Sequence, residues 1–327
     1  MFFVLCAAFC LIALVVANLY IKKKNRLEND SKALQERSLK IAKLYDLPEG
    51  TDFLDITEKT LAHTLVEEKQ KTAIRNNQRR IILFSYPSDG LKIKGLVSFV
   101  PDPENHPLLV NLRGGNRVFG VMNPGNPMMC AGQYTVLATA YRDGVSEGTD
   151  EFGGDDVNDV KNLIDFIPTL ESKLGLHFLN QKSFLLGGSR GGMQMFLALG
   201  RFPELQNRFS KIVSLSGMLN MRESLASRPD VEKIFIEDFG LVKGVNEEEW
   251  INRRDPILTV SLIKRDLPIL IIQGTDDIRV NLRTGYSMLE KLKAAGNNVT
   301  YWEIKGGDHC LSNREDLEDL ILKWFQE

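Results

Sequence analysis

The sequence predicts a doubly wound α/β domain, on three observations. Short β-rich runs begin after Arg80, several of them apolar throughout, and stretches of helical periodicity such as residues 157–174 lie between them. An apolar run without alternation is what a parallel strand buried on both faces requires. A chain of 327 residues with 43% hydrophobic content is also large enough to bury a full core.

Residues 2–21, FFVLCAAFCLIALVVANLYI, carry no charge and are followed by Lys22, Lys23, Lys24 and Arg26. About 20 apolar residues suffice for a helix to cross the hydrocarbon layer, so this run is expected to be a transmembrane anchor in contact with the lipid bilayer. Val15 and Ala17 would permit cleavage after Ala17, but a secretory signal usually has basic residues ahead of its apolar run, and this one has none. The basic cluster places the rest of the chain on the cytoplasmic side, with a periplasmic or extracellular position as the alternative.

From Asn25 to about Gln78 the composition is rich in Lys, Glu and Leu, broken at Pro48-Glu49-Gly50. It reads as a polar helical leader spanning 22–79, with no chemistry of its own. No segment repeats at a fixed period, which excludes solenoids and propellers.

Eight candidate strands then follow at 81–86, 91–100, 108–112, 134–140, 183–187, 211–216, 268–274 and 298–304. The largest insertion between them, 218–260, is expected to form a small helical cap. Its Phe235, Phe239 and Trp250 read as core. Arg142 and the run Glu151 to Asp156 are expected to shape the site's rim, with Asp155 or Asp156 capping the next helix.

The net charge is −2 with acids and bases interspersed, so there is no basic field to hold nucleic acid. Cys130 and Cys310 are the two cysteines outside the apolar segment, and without metal-type spacing they read as unpaired thiols. No cofactor or metal is expected.

In a doubly wound sheet, reactive groups gather beyond the carboxyl ends of the strands. The first such loop of interest is FLLGGSRGG, where Gly187-Gly188-Ser189-Arg190-Gly191 fits G-x-S-x-G between a strand and the helical MQMFLALGRF. There a serine hydroxyl is lifted out of a strained turn, and the flanking glycines let strand and helix pass closely. The stretch fits neither the dinucleotide nor the mononucleotide glycine pattern.

A serine hydroxyl needs a base to take its proton and a carboxylate to orient that base. Of four histidines, only His309 follows Ser189, in Gly306-Gly307-Asp308-His309 after the last strand. The loop after the penultimate strand offers Asp276 and Asp277, and spacing alone does not separate them.

Together YRDGVSEGTDEFGGDDVNDV, GGSRGG, QGTDDIRV and GGDH resemble the catalytic domain of the prolyl oligopeptidase family of serine peptidases, within the α/β-hydrolase superfamily. The resemblance covers roughly residues 80–327. It implies an α/β-hydrolase fold with Ser189 as nucleophile, Asp277 as orienter and His309 as general base. Arg190 N–H is the implied first oxyanion donor, and Gly115 or Asn116 the second.

Two departures stand out. Family members often have His-Gly-Gly where Arg113-Gly114-Gly115-Asn116 stands here, and Val118 and Phe119 lack the hydroxyl that some members add in this loop. The long β-rich domain of many members has no counterpart before residue 80. The expected activity is peptide, amide or ester cleavage through an acyl-enzyme, on a small peptide or ester substrate. A carboxylesterase on the same fold is the alternative, and a non-catalytic binding protein the second.

Overall fold

The computed structural model describes residues 2–178 and 182–327, without side-chain detail at 2–17, 19, 20, 23 and 24. Its frame is a nine-stranded sheet in the order β1-β2-β3-β5-β4-β6-β7-β8-β9. The strands are β1 (Phe53–Asp55), β2 (Arg80–Ser88), β3 (Leu91–Phe99), β4 (Leu108–Leu112), β5 (Thr135–Thr139), β6 (Ser183–Gly188), β7 (Lys211–Leu215), β8 (Ile269–Gly274) and β9 (Val299–Ile304). From β5 across to β9 all neighbours are parallel. The β1-β2, β2-β3 and β3-β5 pairs are antiparallel.

The helices are α1 (Phe2–Ala42), α2 (Thr57–Ala62), α3 (Glu68–Asn76), α4 (Asp156–Leu174), α5 (Arg190–Arg201), α6 (Met221–Ser227), α7 (Pro229–Asp238), α8 (Glu247–Arg254), α9 (Leu282–Ala294) and α10 (Leu317–Gln326). Two hydrophobic clusters lie on opposite faces of the sheet, one holding Val110, Leu185 and Ile271, the other Leu109, Leu186 and Ile272. Consecutive residues of one strand therefore serve different cores, which is why β4 and β8 are apolar without alternation.

All eight expected strands form. The count is nine because Phe53, Leu54 and Asp55, within the segment read as helical, pair with Phe84, Leu83 and Ile82 at the sheet edge. A three-residue edge strand carries too little periodicity to register in sequence.

The anchor expected at residues 2–21 falls mostly on side chains outside the described residues. The backbone there is helical as part of α1, and among the described residues no helix is long and apolar enough to cross a membrane.

In the 218–260 insertion, Phe235 stacks near Phe152, Phe239 and Trp250, with ring centroids 4.8, 5.8 and 5.0 Å away. All four rings are buried, which fits the reading of Phe235, Phe239 and Trp250 as core and puts Phe152, expected at the rim, in the core with them. The insertion also reaches the loop after β8, where the Arg228 guanidinium donates to the carbonyl of Arg279.

Candidate active site

Ser189 ends β6 and opens α5 with φ 54° and ψ −121°, a left-handed backbone that L side chains seldom adopt. The strain is maintained by close packing on either side. A Cβ on Gly187 would stand 2.3 Å from the Gly191 carbonyl oxygen, and one on Gly191 would stand 2.0 Å from that of Leu112. Both glycines of the G-x-S-x-G pattern are thus required by sterics, because the helix turns back against its own strand and against β4. The turn is further held by Ser189 N–H donating to Leu215 O at 2.9 Å.

The loops after β8 and β9 meet beside it. Asp277 is wholly buried, and its Oδ1 accepts the backbone N–H groups of Arg279 and Val280 at 2.8 and 2.9 Å. Its Oδ2 lies 2.9 Å from His309 Nδ1. Asp276, by contrast, is exposed, and its carboxylate accepts from the Thr275 hydroxyl at 3.1 Å. Of the two neighbours that spacing left open, Asp277 is the one in contact with the His309 ring.

Placing the Nδ1 proton against the carboxylate leaves the Nε2 lone pair free. Burial raises the Asp277 pKa, but the bond to His309 and the two backbone N–H groups outweigh it, so the carboxyl is held below its ordinary value. For His309, burial disfavours the charged ring, yet the adjoining Cys310 side chain and Asp277 prevail and its pKa is pushed up to about 10.

A base must be neutral to accept a proton, so the acid limb of kcat/KM is expected above 6.5, the ordinary histidine value. Asp277→Asn removes the charge that favours imidazolium, so it should shift that limb downward. A wild-type limb at or below 6.5 in a pH-rate profile would contradict this electrostatic picture.

No hydrogen bond joins the Ser189 hydroxyl to the His309 ring, although both stand at the same rim. Gly188, next to Ser189, faces the Cys310 sulfur, which lies 3.8 Å from where a Cβ would stand. Such bonds are often long before substrate arrives. Cys310 is the neighbour that sequence reasoning passed over as an ordinary thiol. It adopts φ 57°, and its N–H donates to Ser216 Oγ at 3.0 Å. Its place directly after His309 was the available signal.

The loop after β4 forms the other wall. A Cβ on Gly114 would lie 2.9 Å from Ser189 Cβ, so this glycine sits directly against Ser189. Gly115 has φ 70°, with the Phe119 carbonyl oxygen 2.1 Å from where its Cβ would be. Arg113, standing where histidine is common, is buried and donates to the carbonyls of Gly114, Arg117, Phe119 and Ala140. These bonds fix the loop from within, and among the described residues no acceptor is bonded to the backbone N–H groups of Gly115 and Asn116.

The Arg190 side chain supplies a second brace. It is 1% exposed and pairs with both oxygens of Asp150 at 2.7 Å, with Asp156, and with the Gly115 carbonyl at 2.9 Å. Its guanidinium lies 4.6 Å from the Phe152 ring centroid. Burial would lower the Arg190 pKa, but the two carboxylates more than offset it and raise it. Asp156 is likewise held low against burial by Arg190.

Asp156 is therefore a counter-ion and not the helix cap expected of it. Asp155 occupies the cap position without a capping bond and pairs with Arg253. Arg142, expected at the rim, is instead buried against Asp159 and Asp89. Both assignments failed because charged residues in sequence read as exposed, and here each is buried with a partner. Among the described residues no group of three or more His, Cys, Asp or Glu is placed to hold a metal ion.

A strained serine after a central parallel strand, with an Asp-His pair on the loops after the last two strands, has the architecture of an α/β-hydrolase, and the protein is a serine hydrolase. The sequence profile of the prolyl oligopeptidase family matches residues 147–327, and the chain belongs to that family. It is similar to the uncharacterized peptidase YtmA of Bacillus subtilis, 28% identical across 80% of this chain and 99% of that one. It is also 26% identical to the acylamino-acid-releasing enzyme of Rattus norvegicus, over 68% of this chain and 31% of the relative. The fold is shared with the acylaminoacyl peptidase of Pyrococcus horikoshii, with a TM-score of 0.62 at 22% identity, over 75% of this chain and 41% of that one. The chain thus spans about a third to two fifths of these acylaminoacyl enzymes.

Proposed function

We propose that the protein cleaves small peptides through an acyl-enzyme formed on Ser189. The observation that carries this reading is the 2.9 Å contact of His309 with buried Asp277, at the rim where Ser189 is held in its strained turn. Ser189 Oγ attacks the substrate carbonyl carbon and gives its proton to His309 Nε2, while Asp277 stabilises the imidazolium. The oxyanion is met by Arg190 N–H, which opens α5 and has no intrahelical partner. The second donor comes from Gly115 or Asn116 N–H. The ring returns its proton to the departing amine, and water then releases the acyl group by the same steps.

Support for a peptide substrate comes from the family and from the peptidases named above. Peptide and ester hydrolysis pass through the same tetrahedral oxyanion and differ mainly in the leaving group's need for a proton. Measured side by side, chromogenic peptide amides are expected to turn over along with p-nitrophenyl esters. Amide turnover at background with active ester hydrolysis would replace the peptidase reading with a carboxylesterase.

On this reading residues 80–327 form the catalytic domain, 218–260 its cap, and 22–79 the segment leading to it. We further propose residues 2–21 as a bilayer anchor. The support is an uncharged run of membrane-spanning length followed by Lys22, Lys23, Lys24 and Arg26. The full chain is expected to stay with membranes washed at alkaline pH. Its release into the wash would remove the anchor.

A further inference from the structure

The segment leading to the catalytic domain touches the catalytic loops. In its carboxyl-terminal half, α1 has Leu27, Ser31 and Leu34 half-buried and Ser38 and Ile41 buried, while Lys32, Ala33, Glu36, Arg37 and Leu39 are exposed. Spacings of three and four mark one helical face, and such a face is ordinarily apolar. Two of its five residues here are serines, and each meets a loop of the active site.

Ser38 is 3% exposed. Its hydroxyl donates to the Leu34 carbonyl at 2.7 Å and accepts the Gly120 N–H at 2.9 Å. Gly120 closes the loop that begins at Arg113. A Cβ on it would lie 3.1 Å from the Gly114 carbonyl oxygen and 3.3 Å from Gly115 Cα, and Gly114 itself packs on Ser189. Two residues therefore separate Ser38 from the nucleophile.

On the same stripe, the Ser31 hydroxyl lies 3.4 Å from Arg279 Nη1, and the Arg279 N–H holds the Asp277 carboxylate. Seven residues after Ser38, the Tyr45 hydroxyl donates to the Met122 carbonyl at 2.7 Å, just beyond the same loop.

We infer that Ser38 is a positioning residue for the oxyanion loop, and that α1 serves as a third wall of the active site. Gly120 is half-buried, and the buried hydroxyl of Ser38 is the acceptor bonded to its N–H. An alanine there removes that acceptor, and a half-buried amide that loses its bond is no longer held in place and turns toward other oxygens or water. Rotation at Gly120 displaces Gly114 and Gly115, which stand against it, and with them the donors aimed at the developing oxyanion. The inference rests on Ser189 being the nucleophile.

The test uses the full-length chain and p-nitrophenyl acetate, comparing wild type with Ser38→Ala, Ser38→Thr and Ser189→Ala. Outright loss of an oxyanion donor costs roughly 100- to 1,000-fold in kcat. A displaced donor costs less, so Ser38→Ala is expected to lower kcat by about 10- to 100-fold with KM within about twofold. Ser38→Thr, which keeps the hydroxyl, should recover most of that loss.

A merely structural role for the serine would lower the thermal midpoint while leaving kcat of the folded fraction unchanged. Should Ser38→Ala fail to fold, Ser38→Cys, with its weaker sulfur acceptor, is read against the same expectation. A folded Ser38→Ala or Ser38→Cys enzyme with wild-type kcat would overturn the inference. If Ser189→Ala is inactive in that same experiment, only the role of Ser38 has failed. If Ser189→Ala stays active, the nucleophile assignment has failed as well.

Discussion

Ser189→Ala is expected to lower turnover by roughly a million-fold, and His309→Ala by a similar factor, because nucleophile and base act as one unit. Neither substitution should disturb folding, since Ser189 owes its place to the backbone around Gly187 and Gly191 and not to its hydroxyl. The residual rate should stay well above the uncatalysed reaction, because the oxyanion donors are backbone groups that the substitution leaves in place. Asp277→Asn should cost less than either, since it keeps a hydrogen-bond partner for the ring while losing the charge. Asp276→Asn should cost little, because that carboxylate bonds only to the Thr275 hydroxyl. Steady-state kinetics on purified variants, with unfolding curves recorded in parallel, would check all four.

The second large effect falls on stability. Arg190→Ala strands Asp150 and Asp156, both fully buried, without the guanidinium that neutralises them. Removing one partner of a buried ion pair costs about 3–5 kcal/mol. Urea unfolding should show that loss as a lower midpoint with an unchanged slope. Turnover should fall too, since the Gly115 carbonyl loses the donor that holds its loop. The backbone N–H of residue 190 remains, so labelling of Ser189 should be slowed and not abolished. Arg190→Lys restores a charge but cannot make the paired contacts to Asp150, and should recover only part of the stability. An Arg190→Ala protein as stable as wild type would show that the network is not a brace.

The parts of this fold legible in sequence share a cause. Strands such as Leu108–Leu112 and Ile269–Gly274 are buried on both faces, and a buried parallel strand has a composition that few other structures tolerate. Ser189 and His309 were legible because glycines crowd the one and histidines are scarce around the other. The Asp277 assignment needed the family resemblance, since neighbouring aspartates are equivalent until a ring stands beside one of them.

What stayed hidden was long-range and polar. Arg190 meets Asp150 and Asp156 across 40 and 34 residues, and Ser38 meets Gly120 across 82. No local periodicity marks such contacts, and each residue taken alone reads as surface. The edge strand Phe53–Asp55 was missed for a related reason, because its partners in β2 lie some thirty residues on and its own three residues show no pattern.

The central claim, that Ser189 is the hydroxyl activated by the His309-Asp277 pair, is tested most directly by intact-protein and peptide mass spectrometry after treatment with a fluorophosphonate. A single adduct is expected on Ser189 in the wild-type chain, formed far more slowly in His309→Ala and absent in Ser189→Ala. An adduct on another residue, or a folded wild-type chain left unlabelled, would contradict it.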